Sequence, residues 1–276
     1  MTVGIVGIGL IGGSFAKAYS QAGHTVLAMD LDPSVESYAI LSGIAAEPLR
    51  PDRFQECDLL LLCVYVPAAV HFLEVYAEQI PSRVLVMDCC GTKRTIVQAG
   101  MAAADRYGFT FVGGHPMAGK QFSGIKYASA DLFRGAPMVI VPPRYDDIRL
   151  LNRVRSMLEP AGFGRFTVTT AEEHDRKIAF TSQLAHIVSS AYIKSPTATG
   201  SKGLSAGSYK DMTRVAKMNA DMWTDLFLEN RDYLIEEIDS LTGQLIAYRE
   251  ALLAGSAEQL RHLIEEGTER KKEVDR

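Results

Sequence analysis

The sequence predicts an α/β protein, with a mostly parallel sheet covered by helices on both faces in its N-terminal part and an all-helical C-terminal part. Three observations support this prediction. Short apolar runs alternate with helical segments as far as residue 169, strand-like runs then stop, and a glycine-rich turn follows the first run. Such alternation is typical of parallel sheets packed between helices. We therefore expect two domains in the 276 residues, at 1–169 and 170–276.

The glycine-rich turn has the spacing of a dinucleotide-binding loop. Gly7, Gly9 and Gly12 follow a β-branched run and precede an apolar, helix-compatible segment. A purely structural turn would show the same glycines, so the flanking elements decide between the two interpretations. Asp30 ends the second apolar run, about twenty residues beyond the last glycine, where a carboxylate accepts hydrogen bonds from a ribose. The pattern predicts a Rossmann-type domain that binds NAD. Its candidate cofactor contacts are Gly7, Ile8, Gly9, Leu10, Ile11, Gly12, Asp30, Val64 and Pro67.

The remaining elements of the first domain follow from hydrophobic periodicity. Apolar runs predict strands over 3–6, 25–29, 59–64, 84–87, 110–112, 138–141 and 165–168. Helical spacing predicts helices over 67–79, 92–106 and 148–158. Because ligands collect at the carboxyl ends of parallel strands, we expect functional residues in 65–67, 88–93 and 113–124.

The C-terminal domain begins with a capping box. Thr170 followed three residues later by Glu173 predicts the start of a helical segment that runs to about residue 194. A loop over 195–208 follows, and a second capping box begins at Ser256. Between them runs a heptad-like apolar stripe, which predicts either a helix packed within its own domain or one shared with a second subunit. The stripe consists of Phe227, Leu234, Ile238, Leu241, Leu245, Tyr248 and Leu252.

Composition limits the kinds of partner. The formal charge of −4 and the lack of a dense basic cluster argue against nucleic acid or an anionic membrane. The longest apolar run, 59–70, contains Pro67 and is too short to cross a bilayer. The four cysteines lack metal-ligand spacing, so we expect no metal. Since the chain enters its first strand without a signal-like segment, we expect a cytoplasmic protein.

Hydride removal from an alcohol or ring carbon calls for a base, and His115 is the best candidate. It follows two glycines at the carboxyl end of a predicted strand and precedes Pro116, so we expect its ring to face the crevice. His186 lies among mostly apolar neighbours, where a core and a pocket histidine are both compatible with the pattern. Solvated side chains are the expectation for the other histidines, which are His24, His71, His174 and His262.

Arg214 stands just after the 195–208 loop. An exposed helix arginine with no special role is one interpretation of it. The other is that its guanidinium binds an anionic substrate, because paired N–H donors match a carboxylate.

Three segments together resemble one enzyme family. Residues 7–14 look like its cofactor loop, 115–119 with Ser123 and Gly124 like its catalytic segment, and 211–216 with Trp223 like its substrate-binding arginine segment. The family is that of the prephenate and arogenate dehydrogenases of tyrosine biosynthesis, and the likeness covers nearly the whole chain. It implies a Rossmann domain, a helical domain that forms a homodimer, and NAD-dependent oxidative decarboxylation of prephenate to 4-hydroxyphenylpyruvate.

The resemblance also implies roles for individual residues. His115 would accept the proton of the substrate's ring hydroxyl, Arg214 would grip a substrate carboxylate, and His186 would help to hold the substrate. The other candidate substrate contacts are Thr92, Lys210 and Gln121.

The chain departs from the family pattern at several positions. Gly91 stands where many relatives have a serine. The sequence is compatible with two alternatives: Thr92 takes over the role of that serine, or the role is lost. Gln183 and Ala185 replace a histidine and a proline before His186. Gln121 stands where an acid would suit the ammonium group of arogenate, so we expect prephenate as the substrate. The alternatives are an arogenate dehydrogenase, a Rossmann dehydrogenase or reductase for hydroxy or imino acids, and a nicotinamide-sensing module without turnover.

Overall fold

The N-terminal sheet forms around strands that are buried on both faces. The computed structural model describes residues 1–120, 122–200 and 203–275. In these residues the strands form an eight-stranded sheet of order β3-β2-β1-β4-β5-β6-β7-β8. The strands are β1 (Thr2–Val6), β2 (Thr25–Met29), β3 (Glu47–Pro48), β4 (Leu59–Leu62), β5 (Leu85–Asp88), β6 (Thr110–Pro116), β7 (Pro137–Val141) and β8 (Arg165–Val168). Every predicted strand is present, with bounds that differ by a few residues.

Helices cover both faces of the sheet, as predicted. They are α1 (Leu10–Gln21), α2 (Pro33–Leu41), α3 (Val66–Tyr76), α4 (Arg94–Tyr107) and α5 (Ile148–Leu158). Alternate residues of a strand point to opposite faces, so Leu59 and Leu61 pack in the core beneath α1 and α5, whereas Leu60 and Leu62 pack beneath α3 and α4. The two cores hold the carboxyl ends of β1, β4, β5 and β6 along one edge.

The sheet is not parallel throughout. β7 runs antiparallel to β6, with His115 opposite Val139, and β8 runs parallel to β7. The segment between β6 and β7 contains only a short 3-10 turn, Ile125–Tyr127, in its described part. An antiparallel neighbour needs no crossover helix, which explains the reversal.

The sequence patterns missed α2 and β3. The Asp32 side chain caps α2 by accepting a hydrogen bond from the Ser34 N–H at 2.8 Å, and Pro33 occupies its first turn. β3 is a two-residue edge strand that contains Pro48, and such strands leave no periodic signal.

The described residues of the C-terminal part form helices joined by loops, with no strand among them. Its elements are α6 (Ala171–Ile178), a π-helix (Ala179–Leu184), α7 (Ala185–Ile193), α8 (Gly207–Thr213), α9 (Ala220–Glu229), α10 (Arg231–Leu253) and α11 (Ala257–Val274). Both predicted helix starts are confirmed, because the Thr170 and Ser256 hydroxyls accept hydrogen bonds from the Glu173 and Gln259 N–H groups.

The apolar stripe is divided between two helices, contrary to the prediction of one. Phe227 lies in α9, and Asn230 interrupts the helix before α10 begins. Leu234 is buried within the chain, whereas several apolar side chains of α10 are exposed. These are Ile235, Leu245, Ile246, Leu252 and Leu253. Among the described residues, none of the helices has both the length and the apolar composition needed to cross a membrane.

Candidate active site

The glycine loop has the shape that a dinucleotide requires. Gly7 has φ +86°, a conformation that side chains with a Cβ rarely adopt. A Cβ on Gly12 would lie 1.9 Å from the Gly7 carbonyl oxygen, so only glycine lets α1 start this close to β1. At Gly9 a Cβ would meet no atom within 4 Å, and this open space leaves room for a ligand against the backbone.

The start of α1 favours an anion. The first N–H groups of a helix have no intrahelical acceptor, and they carry part of the helix dipole. At α1 these groups include those of Leu10, Ile11 and Gly12, and no side chain in the described part of the chain caps this terminus. The loop therefore fits the pyrophosphate of a dinucleotide.

Asp30 lies beside this loop at the end of β2. Its carboxylate accepts hydrogen bonds from the Ile8 N–H at 2.7 Å and from the Asp32 N–H at 3.0 Å. A carboxylate has about four acceptor sites, so lone pairs remain for ribose hydroxyls. Across the loop, the half-buried Val64 approaches Gly7, and the exposed Pro67 lies in the first turn of α3.

The strand order puts a second group at the same edge. The order reverses between β1 and β4, and ligands bind open sheets at such a switch point. β6 lies three strands from β1, about 14 Å at the usual strand spacing. His115 is near the carboxyl end of β6, on the side of the switch point opposite Asp30.

A hydrogen-bonded chain extends from His115 into the helical domain. Its Nδ1 atom lies 2.8 Å from Nε2 of His174, and Nδ1 of His174 lies 2.7 Å from Oδ1 of Asp175. His115 is partly exposed, whereas His174 and Asp175 are 3% and 1% exposed. The chain thus begins at a partly exposed ring and ends in the interior.

The sequence-based expectation for His174 is wrong. The sequence pattern predicts a solvated surface histidine, but His174 is buried against His115. A signal was available, because Ala171, His174, Asp175 and Ile178 have the i, i+3, i+4, i+7 spacing of one helix face. All four residues are buried.

Backbone groups of the first domain hold Asp175. Its Oδ1 atom accepts the Lys93 N–H at 2.7 Å, and Oδ2 accepts the Arg94 N–H at 2.9 Å. The Arg94 side chain also pairs with Asp232 at the start of α10, while the amide of the buried Asn230 donates to the Asp175 carbonyl at 2.8 Å. Burial alone would raise the pKa of Asp175, but the hydrogen bonds from His174 and from Arg94 and Lys93 outweigh it, so the pKa lies below its ordinary value.

A fully buried ion pair lies behind the histidines. The Lys93 ammonium contacts the Asp88 carboxylate, which also accepts the N–H groups of Gly114 at 3.1 Å and Cys90 at 2.9 Å. Burial holds the pKa of His115 well below its ordinary value, with smaller contributions from His174 and the positive Lys93. His115 is therefore neutral near pH 7, as a base must be.

The candidate substrate residues form a second, more open group. The rings of His186 and Trp223 lie 3.9 Å apart between centroids, and His186 Nδ1 donates to the Ser182 carbonyl at 2.8 Å. Burial lowers the pKa of His186, and Arg214 contributes in the same direction. Arg214 follows the end of α8 and is exposed, as is Lys210 on α8. Gln121 lies outside the described residues.

The turn after β5 contains Gly91 and Thr92, the two residues at the position where many relatives have a serine. A Cβ on Gly91 would lie 2.8 Å from the Leu226 Cδ2 atom, so a serine there would have to displace the end of the Leu226 side chain. Thr92 is buried, and its hydroxyl has no hydrogen-bond partner among the described residues. Buried Gln183 instead joins the helices, since its amide donates to the Leu226 carbonyl at 2.9 Å and accepts from Asn230.

Two family models match the chain. One, described as the nucleotide-binding domain of prephenate dehydrogenase, matches residues 15–167. The other, described as the dimerization domain of prephenate dehydrogenase, matches residues 170–266.

Similar proteins and solved structures agree with the family models. A prephenate dehydrogenase of Bacillus subtilis is 28% identical over 94% of this chain and 72% of its own length. The structure of Aquifex aeolicus prephenate dehydrogenase in complex with hydroxyphenyl propionate and NAD+ superposes with a TM-score of 0.84 at 26% identity, over 99% of this chain and 98% of that one. Synechocystis arogenate dehydrogenase superposes with a TM-score of 0.82 at 26% identity, over 99% of this chain and 100% of that one.

Proposed function

This chain belongs to the prephenate dehydrogenase family, and from that premise we propose that it catalyses the NAD-dependent oxidative decarboxylation of prephenate to 4-hydroxyphenylpyruvate. The observation that carries the proposal is the position of His115. It is a neutral imidazole at the carboxyl end of β6, on the far side of the switch point from the glycine loop. That is where a base must lie to act beside the reactive end of a dinucleotide.

NAD is the cofactor, held along the loop between β1 and α1. Gly7, Gly9 and Gly12 bring the backbone close to the pyrophosphate, and the N–H groups of the first turn of α1 bind it. The Asp30 carboxylate accepts hydrogen bonds from the ribose hydroxyls. The other residues that contact the cofactor are Ile8, Leu10, Ile11, Val64 and Pro67. Bound NAD would supply the oxidant, as the acceptor of the hydride from C4 of the substrate.

His115 accepts the proton of the 4-hydroxyl at its Nε2 atom, because its Nδ1 atom is already bonded to His174. Loss of that proton drives formation of the C4 carbonyl as the hydride leaves. The bond from C1 to the ring carboxylate then breaks, carbon dioxide departs, and its electron pair completes the aromatic ring. A positioned base of this kind contributes roughly 10² to 10⁴ in rate.

Side chains from both domains recognise the substrate. The Arg214 guanidinium pairs with a substrate carboxylate, and His186, held against Trp223, presents its Nε2 atom to the substrate. Thr92 offers a buried hydroxyl without an internal partner among the described residues, and Lys210 adds a positive charge beside Arg214. Gln121 supplies a neutral amide, which gives the ammonium group of arogenate no ionic partner.

The active form is a homodimer joined through the C-terminal helices. α10 leaves Ile235, Leu245, Ile246 and Leu252 exposed, and exposed apolar faces of this extent mark interaction surfaces. The dimerization-domain description of the matching family model supports the same assembly.

The cysteines are free, in keeping with a cytoplasmic location.

A substrate comparison tests the proposal. Prephenate, arogenate and a simple hydroxy acid are offered separately with NAD or NADP, and reduced nicotinamide is followed by absorbance. We expect the highest kcat/KM with prephenate and NAD, with one carbon dioxide released per turnover. A higher kcat/KM with arogenate would assign the enzyme to that substrate instead. No reduction with either compound would overturn the proposal.

A further inference from the structure

We infer that His174 and Asp175 fix His115 as an Nε2 base and hold the substrate's proton during turnover, returning it to the product oxygen. The inference rests on the proposed function for the proton's source and destination. Its tautomer component, which states which ring nitrogen of each histidine carries the proton, rests only on the contacts of these three residues.

The tautomers follow from Asp175 outward. Its carboxylate accepts two backbone N–H groups, from Lys93 and Arg94, and therefore faces His174 as an acceptor. His174 must donate from Nδ1, which leaves its Nε2 atom with a lone pair. That lone pair accepts the Nδ1–H of His115. The Nε2 atom of His115 is consequently unprotonated and available to a substrate hydroxyl.

Burial favours neutral forms of both histidines at rest, and the charges around the pair do not overcome it. Lys93 and Arg94 are the cations that face them, from the turn after β5 and the start of α4, and each has a carboxylate partner, Asp88 and Asp232 respectively. Asp175 is the carboxylate in direct contact with His174. Burial lowers the pKa of His174, and its hydrogen bond to Asp175 only partly opposes that effect.

The reaction itself requires a temporary store for one proton. Prephenate loses a hydride from C4 and carbon dioxide from C1, and the product keeps a hydrogen on its phenol oxygen. The O–H bond that breaks when the C4 carbonyl forms is therefore remade on the same oxygen after decarboxylation. No proton is released overall, so the base needs a reservoir that keeps the proton near that oxygen.

The histidine chain supplies such a reservoir. As His115 Nε2 accepts the proton, its Nδ1 proton passes to His174 Nε2. His174 becomes an imidazolium against the Asp175 carboxylate, 2.7 Å away, where opposite charges in a buried site attract strongly. The reverse transfers return a proton to the phenolate oxygen. His174 and Asp175 are buried, which separates the stored proton from bulk water.

Asp175→Asn tests the tautomer component. An amide nitrogen is a donor. In the Oδ2 position it would face two other donors, the N–H and the guanidinium of Arg94, whereas in the Oδ1 position it would face only one backbone donor, the Lys93 N–H. The amide should therefore turn its nitrogen toward His174, reversing both tautomers and placing a proton on His115 Nε2. We expect kcat to fall by roughly 10² to 10⁴, with KM for prephenate and the Kd for NAD changed less than threefold.

His174→Gln separates positioning from storage. Its amide oxygen can accept the Nδ1–H of His115 but cannot take up the proton, so we expect an intermediate kcat. Glu173→Gln is the matched control, because it removes an exposed carboxylate from the same helix, and we expect wild-type kcat. An Asp175→Asn enzyme with kcat within threefold of wild type would overturn the inference. So would a His174→Gln enzyme with wild-type kcat, since no proton store would then be needed.

Nitrogen-15 NMR of histidine-labelled enzyme gives a readout that needs no substrate. We expect His115, assigned by comparison with His115→Asn, to carry its proton on Nδ1 in the wild type and on Nε2 in Asp175→Asn. A wild-type proton on Nε2 would overturn the tautomer component. Because this spectrum is independent of turnover, enzyme that failed to oxidise prephenate yet showed the expected tautomer would contradict the proposed function alone.

Discussion

Two groups of proposed site residues, one around His115 and one around Arg214, differ in how their side chains are held. At the His115 end, a partly exposed ring is fixed by buried groups from two domains. At the Arg214 end, the guanidinium and Lys210 are exposed on and after the short helix α8. Preorganisation at the first end lowers the cost of charge rearrangement during chemistry. Exposure at the second lets a charged substrate enter and leave, so we expect the first end to govern kcat and the second to govern KM.

Replacing the base should have the largest effect. His115→Asn removes the Nε2 acceptor, and we expect kcat to fall by roughly 10² to 10⁴ in steady-state assays with prephenate. NAD affinity, measured by calorimetry, should stay the same because the glycine loop is untouched. Activity equal to wild type would remove His115 from the role of base.

Truncating Arg214 should act on the other parameter. A charge-assisted hydrogen bond contributes about 1.5–3 kcal/mol, so Arg214→Ala should raise KM for prephenate by roughly 10- to 100-fold. Lys217→Ala removes a nearby exposed cation from the same segment and is the matched control. An unchanged KM in Arg214→Ala would return this residue to an ordinary surface arginine.

Asp30 offers a test at the cofactor loop. Its carboxylate repels the 2′-phosphate of NADP, so Asp30→Ser should reduce the preference for NAD by about tenfold, or about 1.4 kcal/mol. Asp32→Asn, which keeps an oxygen to cap α2, should leave the ratio of the two kcat/KM values unchanged. If Asp30→Ser kept the wild-type ratio, another residue would set the preference.

The pH profile should show how strongly burial acts on the base. His115 works only when neutral, so kcat/KM should fall as the pH falls through its pKa. Because burial holds that pKa well below the ordinary value of about 6.5, activity should persist below pH 6.5. A loss of activity already centred above pH 7 would contradict the direction of this shift.

Gly91 should give the smallest effect. A serine there would press its Cβ against the end of the Leu226 side chain, and overpacking of this kind typically costs about 1–3 kcal/mol. We expect Gly91→Ser to lower Tm by a few degrees in calorimetry and Leu226→Ala in the same chain to relieve that strain. A double variant with a Tm no higher than that of Gly91→Ser would show that Leu226 is not the obstacle.

The sequence predicted well the features that the backbone controls. The Gly7 and Gly12 positions permit no Cβ, and their spacing is therefore visible in the residue types themselves. The strand at His115 could be located by its apolar run, although the reversal at β7 could not, because an apolar strand has the same pattern in either direction.

The sequence predicted poorly the features that depend on contacts between domains. His174 and Asp175 are polar, and only their helical register revealed that they share a face with Ala171 and Ile178. The roles of Arg94 and Asn230 depend on the approach of α10 to α4, which local sequence does not specify. These buried polar contacts are also the ones that complete the site.

Single-turnover kinetics with enzyme in excess over NAD and with saturating prephenate test the division between the His115 and Arg214 ends most directly. At saturation, weakened binding no longer limits the observed rate of nicotinamide reduction. We predict that His115→Asn slows this rate by at least about 100-fold, whereas Arg214→Ala keeps it within about threefold of wild type. Equal slowing of the saturated rate in both variants would contradict the account.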